Sequence, residues 1–259
     1  MKGIIETIEL SGRQIEICRK PRKRNIAMTM QVSGRLRVST SLSTPLTYIR
    51  QFVLQNQTWI ENQEKSYQKI RELFPVKTYC EGESFYFLGK PTPLHYKMAV
   101  GSRMKFSQSL ESGFVCQIPA ELWRRFDPLQ PHPEMASLFK KFYERAGRDL
   151  LAQSVQKFSV AMNLHPKALS FRSQKTRWGS CSSRGKLSLN WRLAFAPREV
   201  IDYVVVHELA HLKHYNHSAA FWSLVGSQIS DYRTWRKWLR AHQYEADFLG
   251  RRSELHLSV

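Results

Sequence analysis

Three histidines and a glutamate in the C-terminal part of this chain stand at spacings that chemistry can use. His207 and His211 are four residues apart, Glu208 follows the first, and five residues separate His211 from His217, giving the pattern H-E-x-x-H-x5-H. On a helix, positions i and i+4 share a face about 6 Å apart along the axis. Two imidazoles can therefore close on one metal ion from the same side. Glu208 reaches the same cleft without being forced onto the ion. From there a carboxylate can take a proton from a water acidified by the metal.

The third ligand is contested. His214 would stand about 10 Å along the axis from His207 if the helix continued, too far to share an ion at bond lengths of about 2.0–2.1 Å. His217 follows Tyr215-Asn216, and Asn tolerates the left-handed conformation that ends helices. A turn there would fold His217 back over the other two. Glu245, carried on a later helix, is the alternative third ligand if His217 points away. Three imidazoles and a water suit Zn2+, and Ni2+ or Co2+ also accept imidazole. A metzincin assignment fails, because that pattern has Gly where His214 stands and needs a Met-turn, whereas no Met follows Met162.

The elements that must position these residues can be read around them. Pro197 suits the first turn of a helix whose buried side is Ile201, Val204, Val205, Leu209 and Leu212. Ahead of it, 168–172 and 187–191 read as a strand pair, with Ser182-Ser183-Arg184-Gly185 as a turn. The loop between the strands carries Lys175, Arg177, Trp178, Gly179 and Cys181. Arg177 and Lys175 are expected at a positive lip of the cleft, where they would bind substrate. Trp178 either walls the cleft or plugs the core, and Gly179 permits a tight turn. Cys181 is expected as a small buried residue, since a fourth protein ligand would remove the water position. An edge strand beside the metal would align an extended peptide by strand addition.

Lys175–Ser183, Leu189-Asn190-Trp191-Arg192-Leu193, the His-Glu helix and Phe221-Trp222 resemble the YgjP-like metallopeptidase family, which is grouped with the SprT-like zincins. Arg19–Asn25 and Gly34–Val38 extend the resemblance more loosely into the N-terminal half. It implies a zincin-type fold with His207, His211 and His217 as ligands and Glu208 as catalytic base. The substrate is not implied, because a shared scaffold does not fix the chemistry.

The rest of the chain reads as α+β. Residues 1–40 alternate like strands, Pro45 opens an amphipathic helix to about Arg71, and β-rich stretches recur at 85–89, 94–96 and 114–116. Three prolines within 127–133 suggest a boundary. The expected division is a β-rich N-terminal domain (1–130) and a minimal zincin-like metallohydrolase domain (131–259) of helices around a small sheet. A long helix is expected over 134–162, another from about Ser218, and a last one over 232–248 with Trp235 and Trp238 turned to the core.

Composition bounds the partners. The chain has 259 residues, 42% of them hydrophobic, enough for a real core. No apolar run reaches membrane length and the N-terminus lacks the plan of a secretory signal. The four cysteines are scattered singly, which speaks against a disulfide framework. A cytoplasmic protein is expected. The net charge of +19, from 40 Lys and Arg against 21 acids, favours anionic partners. Alongside a zinc metallopeptidase, two other readings stay open. One is a nucleotide phosphohydrolase of the nucleoside triphosphate pyrophosphatase type. The other is a DNA-associated protease, with nucleic acid bound by the basic clusters.

Overall fold

The computed structural model describes residues 4–31, 33–109, 111–174 and 177–246. Lys175, Val32 and the expected helical residues 247 and 248 lie outside them. The chain divides into two compact units between Pro75 and Val76.

The first unit holds strands β1 (Ile4–Leu10), β2 (Arg13–Lys20), β3 (Ala27–Met30) and β4 (Leu36–Ser41), then helices α1 (Leu46–Gln55) and α2 (Gln57–Leu73). The sheet order is β1-β2-β4-β3, with β2 and β4 parallel and the other pairs antiparallel. Alternation in the strands turns Ile15, Ile17, Leu36 and Val38 inward. One helix was expected over 45–71, and the structure has two. Asn56 interrupts them: its Nδ2 donates to the Phe52 carbonyl at 2.8 Å, and its backbone leaves helical geometry. The side chain competes for a helical carbonyl, the habit that makes Asn poor in helix interiors.

The second unit opens with β5 (Ser84–Phe87), β6 (Lys90–Ala99), β7 (Lys105–Ser109) and β8 (Gly113–Pro119), ordered β5-β6-β8-β7 with β6 and β8 parallel. A one-turn helix α3 (Ala120–Trp123) follows. Then come α4 (Ala136–Met162), β9 (Ala168–Arg172), β10 (Gly179–Cys181), β11 (Lys186–Asn190), a 3-10 segment (Trp191–Phe195), α5 (Arg198–Ala210), α6 (Ala219–Gln228) and α7 (Tyr232–His242). The last helix thus stops short of the expected 248, passing into a 3-10 turn over Gln243–Ala246.

The proline-rich segment does not separate two cores. Phe85 and Phe114, from strands before it, pack in one buried cluster with Phe139 and Tyr143 from α4 after it. Tyr143 donates to the Tyr86 carbonyl at 2.6 Å, and the segment itself is pinned by His132 N–H to Thr78 C=O and Glu81 N–H to Pro128 C=O. The boundary expected near 130 therefore moves to 75. Prolines there shape a surface excursion of one unit.

Helix α4 and the 3-10 segment approach so closely at Gly147 that any side chain there would collide with the Trp191 backbone. This contact seats α5, which follows the 3-10 segment, deep in the unit. Val200, Ile201 and all residues from Tyr203 to Ala210 are buried.

Candidate metal centre

Helix α5 carries His207 and Glu208 into the interior, at 4% and 6% exposure, and ends at Ala210. The chain then tightens: Leu212, Lys213 and His214 donate to Leu209, Ala210 and Ala210. Because the helix ends so early, His214 leaves the ligand face. Its carbonyl instead receives the Nδ1–H of His211 at 3.0 Å, which leaves His211 Nε2 free to bind. The left-handed turn expected at Asn216 is not there. The reversal is completed one residue past His217 by Ser218, whose Oγ accepts the Phe221 N–H at the start of α6.

His217 folds back over the helix as a result. Potential ligand atoms of His207, His211 and His217 all lie within 4.8 Å of one another, and the Nε2 atoms of His207 and His217 are 3.1 Å apart. Tetrahedral bonds of about 2.0–2.1 Å put donor atoms roughly 3.4 Å apart, a value these separations bracket. No carboxylate or thiol joins the set among the described residues. Glu245, the alternative ligand, sits in the 3-10 turn after α7, where its charge adds to the burial that raises the pKa of Tyr86 and Tyr143.

The three rings are held by carbon. Phe221 lies 4.7 Å from both His211 and His217, centroid to centroid, and Trp222 stacks on His217 at 5.6 Å. Tyr232 also stacks on Trp222 at 5.1 Å, and the Arg236 guanidinium stands over the same indole. Burial pushes the His207 imidazole down to about 3, aided by the two neighbouring histidines and Arg236. Burial also lowers His217. The neutral ring is the form that binds a cation. His207 Nδ1 has no hydrogen-bond partner although it is buried. Three imidazoles, with no fourth protein donor among the described residues, fit a divalent ion with an open position.

Glu208 faces the cleft from the same turn. Burial pushes its carboxyl up to about 8, while the Arg177 charge pulls it the other way. Strand β10 passes directly over it: a Cβ on Gly179 would come within 2.6 Å of Glu208 Cγ and Oε1. Gly179 is thus required for close approach, and no tight turn depends on it. What reads as a loop in the sequence contains this third strand, antiparallel to β11, which also pairs in parallel with β9. The order β10-β11-β9 leaves β10 at the edge.

Of the other expected residues, Arg177 is exposed and lines the cleft of 350 Å³ with Gly179, Ser180, Cys181 and Tyr215. Trp178 does not. It is 1% exposed and stacks on Phe195 at 5.4 Å, so it plugs the core. Cys181 is half-buried and faces the cleft, and burial together with Glu208 raises its thiol pKa. Lys175 lies outside the described residues.

Sequence reasoning missed Asn190. Fully buried, its Nδ2 donates to the carbonyls of Gln174 at 2.9 Å and Arg177 at 3.2 Å, and its Oδ1 accepts the Arg192 N–H. It clips the segment carrying Arg177 to the sheet. Its place between alternating strand residues gave no hint of this. Tyr215, 72% exposed at the cleft mouth, was also missed.

Comparison with known proteins agrees with this chemistry. The family described as YgjP-like, metallopeptidase domain, matches residues 24–242. No curated protein matches. Among solved structures, the metallopeptidase zymogen of Pyrococcus abyssi abylysin is similar over 38% of this chain and 95% of that one. Its identity is 22% and its TM-score 0.32.

Proposed function

This chain belongs to the YgjP-like metallopeptidase family and is a metal-dependent hydrolase; we propose that its ion is zinc, held by His207, His211 and His217, and that Glu208 is the proton carrier for peptide-bond hydrolysis. The observation that carries the reading is the convergence of three imidazoles beside a buried carboxyl group. A divalent ion bound there supplies Lewis acidity, acidifying water and polarising a carbonyl oxygen.

The remaining work falls to the chain itself. Glu208 takes a proton from the attacking water and returns it to the leaving amine. Its raised proton affinity suits a group that must both accept and release near neutrality. The edge of β10 offers unpaired backbone groups to an extended peptide, and the side chains of Phe221 and Trp222 keep the imidazoles oriented. Arg177, at the cleft wall, faces the negative charge that develops on the attacked carbonyl.

The test is metal content and turnover together. Parent protein should carry one zinc per chain and cut peptides. His207→Ala should lose both. Glu208→Gln should keep the zinc while losing about 10²–10⁴-fold in turnover. A Glu208→Gln protein as active as the parent would overturn the role of Glu208. Full zinc content in His207→Ala would overturn the ligand set.

A further inference from the structure

A second pocket opens beside the metal cleft, and its chemistry is one-sided. It has a volume of 320 Å³ and shares Tyr215 with the cleft. The cleft is walled by Gly179, Ser180 and Cys181 of β10, and the pocket by the residues that directly follow, Ser182 to Gly185. An edge-bound peptide therefore passes from one into the other. Strand β10 ends at Cys181, about 7 Å along from Gly179 at about 3.3 Å per residue, and the turn Ser182–Gly185 begins there, so the pocket meets a side chain a few residues from the cut.

Three basic side chains line it: His165, Lys167 and Arg184. No Asp or Glu does. Lys167 and Arg184 are exposed and form no ion pair among the described residues. The stem of Lys167 and the side chain of Leu212 both border Gly185, and the Lys167 backbone N–H donates to the Gly185 carbonyl at 2.9 Å. The C-terminus of α4 also enters this pocket, and helix C-termini repel anions. Here its late carbonyls are already occupied, Ser159 by Leu164 N–H and Val160 by Asn163 N–H. That lessens the repulsion, and the charged side chains at the pocket are all cationic.

We propose that this pocket is a specificity subsite for an acidic side chain, Asp or Glu, of the peptide substrate, read by Arg184 and Lys167. The proposal rests on the peptidase reading above and adds a substrate class to it. Exposed ion pairs are individually weak, so the preference should be modest and should fade with salt.

The experiment has a binding arm that does not depend on turnover. Zinc-loaded Glu208→Gln protein is titrated with fluorescent peptides in which Glu or Gln occupies each position in turn. At one position, Glu should bind about two- to fivefold more tightly than Gln at low salt. Arg184→Lys should retain that ratio, and Arg184→Glu combined with Lys167→Glu should invert it in favour of a Lys-containing peptide. The parent enzyme should show the same order in kcat/KM. Equal binding of Glu and Gln peptides at every position overturns the subsite. So does a ratio that survives the double charge reversal. Displacement by a nucleoside triphosphate, with no Glu preference in peptides, would assign the pocket to phosphate and likewise overturn the acidic-peptide reading. A binding preference without any peptide cleavage would sink the peptidase mechanism and leave the subsite standing.

Discussion

The second unit contains two clusters of aromatic rings packed at similar distances for different ends. In one, Phe85, Phe106 and Phe114 surround Phe139 at 4.2–5.4 Å between centroids, and Phe139 is fully buried. In the other, His207, His211 and His217 surround Phe221 at 4.7–5.0 Å. The first cluster joins strands to α4, its rings meeting Phe139 at tilted angles of 36–58°. The second uses the same ring-on-ring packing to fix the orientation of imidazoles whose nitrogens stay available. Hydrocarbon rings gain stability from their mutual contact. Imidazoles gain a defined direction from theirs, at the expense of polar atoms left for something else to satisfy.

Substitutions can break this contrast. Phe139→Ala removes a ring from the dry cluster and should cost about 3–5 kcal/mol. This is readable in urea by tryptophan fluorescence, and the zinc content of the protein that remains folded should not change. A loss below about 1 kcal/mol would mean that α4 is held elsewhere. Next, Gly179→Ala forces Glu208 aside. Displacing a reacting group by about an ångström costs on the order of 10²-fold, so peptide turnover should fall by that factor with one zinc still bound. Unchanged turnover would show that Glu208 has room to work in another position. Trp222→Ala unstacks His217 and should weaken zinc affinity about tenfold, in the range of other supports that orient ligands. A chelator competition assay decides it. The smallest effect belongs to His214→Ala, expected within about twofold in the same assay, because the backbone carbonyl rather than the ring holds His211. Loss of zinc in this variant would return His214 to the candidate ligands.

The proximity of His207, His211 and the Glu208 carboxylate could be read from offsets alone, since helix geometry fixes i and i+4. The route by which His217 arrives could not. Helix α5 ends at Ala210, well before Asn216, because three successive N–H groups turn back onto Leu209 and Ala210. Strand β10 was hidden for another reason: Gly179-Ser180-Cys181 offers no alternation over three residues, and its pairing to β11 is a tertiary fact. The β-rich character of residues 1–41 and the long helix ending at Met162 were legible from periodicity. The division of the chain at 75 was not, because the aromatic residues that unite 84–119 with α4 look in sequence like those of any self-contained sheet.

Asn190 leaves one consequence for the lifetime of the protein. Its carboxamide nitrogen stands between two carbonyl oxygens, so hydrolysis of that single amide would set a carboxylate against both. The exchange changes shape hardly at all and reverses every donor into an acceptor. The strap it secures carries Arg177, and the repulsion would lift that strap from the sheet. Sealed from solvent, the amide is shielded while the fold is intact. Each unfolding excursion exposes it. A molecule deamidated there during heating would refold around a carboxylate facing those carbonyls, so the damage would outlast the cooling.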